Sequence, residues 1–122
     1  MIFLEESLHG DKLKTARRLF TKKIITSLPD VIITSNDLIA QGIISAAHEN
    51  GINIPNDMQI TGFDDLISSA YFIPSVTTVS QNIDELAKRC FSMLMDLINK
   101  KSAVSSIIEQ NIISRSSAKI NI

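Results

Sequence analysis

Between Asp11 and Ile25 the apolar residues Leu13, Ala16, Phe20 and Ile24 recur three or four positions apart, the interval that aligns side chains on one face of a helix. The pattern predicts an amphipathic helix there. Leu28-Pro29 breaks it, because proline disfavours helical backbone at the residue before it, and the β-branched run that follows predicts a buried strand over Val31–Thr34, ending at Ser35. Asn36 or Asp37 is placed to cap a second helix with Ile39, Ile43, Ala46 and Ala47 on its apolar face, and Gly51 followed by Pro55 stops it.

Met58–Phe63 returns to the strand pattern, and beyond an irregular stretch around Pro74 comes a short extended run, Val76–Val79. Asn82 with Glu85 three residues on spells a capping box, opening a helix that buries Ile83, Leu86, Ala87, Cys90, Leu94, Leu97 and Ile98. A last strand covers Ile107–Ile113, and Ile2–Leu4 reads as a first one. The order β-α-β-α-β-β-α-β predicts an α/β fold, a mostly parallel sheet flanked by helices.

At 122 residues and 44% hydrophobic content, the chain suffices for one small domain rather than two ordinary ones. A net charge of −1 gives no overall electrostatic footprint for nucleic acid or an anionic membrane. Lys12, Lys14, Arg17, Arg18, Lys22 and Lys23 cluster on the polar face of the first helix and read as a solvated surface. The single cysteine excludes an internal disulfide framework, and its place on the apolar stripe predicts a buried, inert thiol. No apolar run approaches the roughly 20 residues that span a membrane. Glu5 and Glu6 interrupt the apolar start, unlike a secretory signal, so the expected setting is the reducing cytoplasm.

Candidate chemistry gathers where strands end. In open parallel sheets ligands collect outside the carboxyl ends of the strands, and Ser35-Asn36-Asp37 lies at one such end and Asp64-Asp65 at another. Amide donors, an amide acceptor and a carboxylate suit the grip of a polyhydroxylated or heterocyclic small molecule; the blander reading is that the two acids cap a turn. Acid–base catalysis would need carboxylates on opposite sides of a reacting bond, which sequence neighbours are not. His9 and His48 stand alone, without metal-ligand spacing, and no nucleophile elbow or phosphate- or dinucleotide-binding loop occurs, so neither metal nor cofactor is expected. Tyr71 and Phe72 cannot easily both point inward and read equally as core or as interface.

Several spaced motifs together carry a resemblance. Ser35-Asn36-Asp37 with Ala40 and Gly42, the Gly51…Ile54-Pro55…Asp57 connection, Gly62-Phe63-Asp64-Asp65, Pro74 with Thr77-Thr78-Val79, and Gln81 resemble the C-terminal portion of the sensor domain of LacI/GalR-family transcription regulators. Ile112–Ser117 resembles that family's terminal Leu-x-x-Arg-x-Ser signature, with Ile for Leu. The resemblance implies part of a periplasmic-binding-protein-like (type I) fold with a ligand cleft between two subdomains. Residues 1–80 would form the C-terminal subdomain core, residues 81–105 a crossover helix toward the N-terminal subdomain, and residues 106–122 a returning strand and tail.

It also implies roles. Asn36, Asp64 and Gln81 match positions lining the effector cleft, with Asp65 supporting the loop, while Gln41, Tyr71 and Phe72 match surfaces that form two-fold dimers. The expected function is effector sensing and dimerisation within a transcriptional repressor. The effector would be a sugar or nucleobase, and operator DNA would be engaged only through an N-terminal headpiece, which these residues lack. A solute-binding protein of the same fold is the alternative, and a small α/β enzyme using Asp64 and Asp65 is a third reading, disfavoured by the missing nucleophile and base.

Overall fold

The computed structural model of the chain describes residues 11–119. The Asp11 side chain caps α1 (Lys12–Leu19) by accepting the Lys14 N–H at 3.1 Å. That bond holds the Asp11 carboxyl below its usual range. The helix then widens: the Ile25 N–H donates to the Phe20 carbonyl at 3.1 Å, five residues back, making a π turn over Phe20–Ile24 in which both end residues are buried. The remaining elements are β1 (Val31–Ile33), α2 (Asp37–Glu49), β2 (Gln59–Thr61), α3 (Ile67–Tyr71), β3 (Thr78–Ser80), α4 (Ile83–Ile98) and β4 (Asn111–Ile113).

α1 and α2 lie against each other, and Gly42 is what lets them approach. A Cβ at that position would stand 2.6 Å from the Leu13 carbonyl oxygen and 3.0 Å from the Ala16 methyl. The predicted face of α2, Ile39, Ile43, Ala46 and Ala47, is buried with Phe20, Ile24, Ile32, Ile44, Met58, Ile60 and Val76 in one core. Each of its large side chains contributes about 1.5–3 kcal/mol by leaving water. Across the helix pair, Arg17 grips both Glu49 oxygens at 2.6 and 2.7 Å and also bonds Ser45.

β1 and β2 pair in parallel, Val31 with Gln59 through Ile33 with Thr61. A parallel bridge between Thr61 and Thr77 continues the sheet toward β3, which pairs antiparallel with β4. The tail then folds back across this junction. The Ser117 hydroxyl donates to the Ile60 carbonyl at 2.7 Å and accepts the Thr77 N–H at 2.8 Å, while the Ile60 N–H donates to the Ser117 carbonyl at 3.0 Å. The terminal signature is thus a strap tying β2 to the lead-in of β3.

Five expectations are corrected. α4 forms where its periodicity placed it, but none of its residues is buried. Ile83, Leu94, Leu97 and Ile98, predicted to face a core, are exposed, because nothing among the described residues packs on that stripe. Cys90 is exposed for the same reason. The capping box is also absent: Asn82 takes a left-handed conformation (φ 51) that leaves its side chain without a cap bond, and Glu85 bonds Arg89 at 2.8 Å instead. The segment read as irregular contains α3, and the last strand shortens to Asn111–Ile113, since its partner β3 is only three residues long. The Ile2–Leu4 strand falls outside the described residues.

Candidate functional site

The strand ends meet through the backbone. The Asp37 N–H donates to the Phe63 carbonyl at 2.8 Å, so the start of α2 adjoins the loop that leaves β2. Asn36, not Asp37, is the cap of α2: its Oδ1 accepts the Ile39 N–H at 3.0 Å, satisfying one of the helix's orphan donors. That duty and its 8% exposure leave the Asn36 side chain little surface for a ligand.

Two consecutive residues of the loop, Asp64 (φ 107) and Asp65 (φ 53), have left-handed backbone. Such a conformation costs a non-glycine residue about 1–3 kcal/mol and persists only when neighbours enforce it. Here they do. The Gly62 N–H donates to the Thr77 carbonyl at 2.8 Å, the Asp64 N–H to the Val79 carbonyl at 3.0 Å, and the Leu66 N–H to Asp37 Oδ2 at 2.8 Å. Asp64 Oδ1 in turn accepts the Gln81 Nε2–H at 2.6 Å. The structure therefore joins Asp64 and Gln81 into one partly exposed polar pair, and Asn36 stands at the adjoining helix start without bonding to either.

Two residues to which the sequence reading gave no organising role hold this site together. Asp37 is fully buried, and its carboxylate accepts the Leu66 N–H, the Ser69 hydroxyl (2.6 Å) and the Thr78 hydroxyl (2.6 Å), tying the loop, α3 and β3 to the positive end of α2. Gly62 makes room for it, since a Cβ there would collide with Asp37 Oδ1. Arg115 is the second: its guanidinium donates to Asp65 Oδ1 at 2.6 Å and to the Val76 carbonyl at 2.9 Å. Asp65 supports the loop by this ion pair. The sequence left the cap open between Asn36 and Asp37, and only the structure, by giving it to Asn36, frees Asp37 for this second role.

The proposed interface residues divide. Tyr71 is 82% exposed, whereas Phe72 packs partly against the core. Gln41, expected on the same surface, is only 3% exposed, with its amide donating to Ser68 Oγ at 2.9 Å and Ser69 Oγ at 3.0 Å. Its long polar side chain is consumed in holding α3 onto α2. Beside Tyr71 lies an open hollow of about 470 Å³ lined by Ser45, His48, Glu49, Tyr71, Phe72 and Ile73.

The periplasmic binding protein-like domain family matches residues 4–118. The chain belongs to this family. Within it, the chain is similar to the effector-binding domains of LacI/GalR-type transcription regulators. It is 35% identical over 85 residues to the transcriptional repressor PurR of Pasteurella multocida, covering 70% of this chain and 25% of the relative. To the transcriptional regulator RegA of Clostridium acetobutylicum it is 36% identical over 92 residues, covering 74% of this chain and 28% of that one. The solved periplasmic binding ribose operon repressor of Lactobacillus acidophilus superposes with a TM-score of 0.82 at 32% identity, covering 96% of this chain and 44% of that structure. The chain thus spans about a quarter of the length of the curated relatives it matches.

Proposed function

We propose that these residues form one wall of the effector cleft of a cytoplasmic LacI/GalR-type transcriptional repressor, with Asp64 and Gln81 as its ligand-contacting pair. The observation that carries this reading is the Asp64–Gln81 hydrogen bond, presented on a loop that buried bonds hold in an otherwise costly backbone conformation. A carboxylate and an amide fixed in this way present matched acceptors and donors to a sugar hydroxyl or a base nitrogen. Asn36 borders the pair and serves chiefly as the cap that orients α2. Operator DNA is engaged through a headpiece outside these residues.

The same reading assigns self-association to the face around Tyr71. An exposed aromatic beside an open hollow suits a two-fold contact, in which the ring of one copy enters the hollow of the other. Gln41 acts beneath that surface rather than on it.

The test replaces the matching segment of the Lactobacillus acidophilus ribose operon repressor with this chain, then titrates the chimera calorimetrically with ribose and with adenine. Binding of either, weakened roughly tenfold or more by Asp64→Ala, is the expected result, since a charge-assisted hydrogen bond contributes about 1.5–3 kcal/mol. An Asp64→Ala chimera with unchanged affinity refutes the assignment.

A further inference from the structure

We infer that Arg115 is the positioning residue of the candidate effector site, fixing Asp64 from the far end of the chain through Asp65. The inference rests on the reading of Asp64 as a ligand-contacting group, and three features of the structure lead to it.

The first is how Asp65 is held. Its backbone N–H lies 3.4 Å from the Thr78 hydroxyl oxygen, a long bond, and the Thr78 hydroxyl hydrogen is directed at Asp37. The short contact on Asp65 is the one from Arg115, 2.6 Å, between side chains that are only 18% and 26% exposed. Asp64 and Asp65 are covalently linked and both left-handed, so a shift of Asp65 rotates the peptide that carries Asp64. The pair of Asp64 with Gln81 depends on that orientation.

The second feature is the rigidity of the element that supplies Arg115. Its own N–H donates to Thr77 Oγ1 at 2.9 Å, and the next two residues bond Ser75: the Ser116 N–H reaches Ser75 Oγ at 3.3 Å and the Ser117 N–H the Ser75 carbonyl at 2.9 Å. The guanidinium therefore projects from a strap already fastened to the strand end it serves, which limits how far it can move.

The third is the demand for arginine. One fork bonds a carbonyl and a carboxylate on two different segments at once, and the planar guanidinium spans both with fixed geometry. A lysine ammonium is a point charge on a flexible stem and lacks the planar fork that holds the two acceptors in fixed geometry.

The experiment compares wild type, Arg115→Lys and Asp65→Asn of the whole chain by amide hydrogen exchange and by NMR of the Gln81 side-chain amide. Expected in both variants is exchange at the Asp64 amide faster by roughly tenfold or more, with the Ile43 and Ile44 amides unchanged. The Gln81 amide protons should also move toward the positions of a free glutamine side chain. Exchange that rises equally in α2 would show a general staple and overturn the inference, as would unaltered Asp64 and Gln81 signals. Should Arg115→Lys not fold, the near-isosteric Asp65→Asn decides by the same signals. Neither signal needs an effector, so failure of the chimera to bind ribose or adenine counts against the effector reading alone.

Discussion

Replacing Asp37 by alanine tests the hub on which the site is assembled. The substitution leaves the half-buried Leu66 N–H without its acceptor, at a cost of about 1–3 kcal/mol, and removes the bonds from the Ser69 and Thr78 hydroxyls, each contributing roughly 0.5–1.5 kcal/mol. The expected loss is about 2–6 kcal/mol, a large part of the 5–15 kcal/mol or so typical of a folded domain. With a urea slope near 1.5 kcal/mol per molar for a chain of this size, the unfolding midpoint should fall by roughly 1.3 M or more. Asp37→Asn separates shape from charge. Its remaining oxygen can accept from Leu66 and Ser69, and its new NH2 can face a rotated Thr78 hydroxyl, so the loss should be about 1–2 kcal/mol. Urea titrations followed by circular dichroism provide both numbers. An alanine variant within about 1 kcal/mol of wild type, or an asparagine variant as damaged as the alanine one, would refute the accounting.

Gly62→Ala should destabilise the chain by about 1–3 kcal/mol, because its methyl and the Asp37 carboxylate cannot share the space; calorimetric melting gives the figure. Ile43→Ala should cost about 2–5 kcal/mol in the same assay. Leu94→Ala on the uncovered stripe of α4 should cost under about 0.5 kcal/mol, and a core-sized loss there would show that α4 is packed in solution. Tyr71→Asp should shift any dimer seen by analytical ultracentrifugation to monomer without lowering stability. Asp11 supplies a pH effect: with its folded pKa depressed by the Lys14 N–H, its contribution to α1 is complete above its unfolded value near 3.8 and fades as pH falls through the lower folded value. Helical signal lost on acidification across that window should therefore be smaller in Asp11→Asn.

The helices were readable because their apolar residues recur at a fixed interval, and α1, α2 and α4 stand where Leu13–Ile24, Ile39–Ala47 and Ile83–Ile98 placed them. Periodicity identifies an apolar face, however, and says nothing of what covers it. The stripe of α4 was therefore recognised while its burial was misjudged. Short polar-rich elements escaped for a different reason: α3, Ile-Ser-Ser-Ala-Tyr, has too few residues for a repeat and is held by Gln41 and Asp37 from distant parts of the chain. In the site, adjacency in sequence marked Asp64 and Asp65 as a unit. The family resemblance divided their roles, and the fold supplies the partners that carry the division, Gln81 for Asp64 and Arg115 for Asp65, 17 and 50 positions away.

The strap formed by Arg115–Ser117 has a consequence for how the molecule is made. A ribosome delivers α1, α2 and both strands of the parallel pair well before it delivers the residues that fasten them. The helix pair can bury its shared face early, since its contacts lie within residues 12–49, but the Ile60 and Thr77 backbone groups wait for Ser117. Until then the growing chain carries strand termini with unpaired donors and acceptors, the kind of surface that invites chaperones or a neighbouring nascent chain. A protease that nicks the polar connection after α4 would loosen the latch and with it the Arg115 hold on Asp65, while leaving Asp64 and Gln81 themselves in the chain.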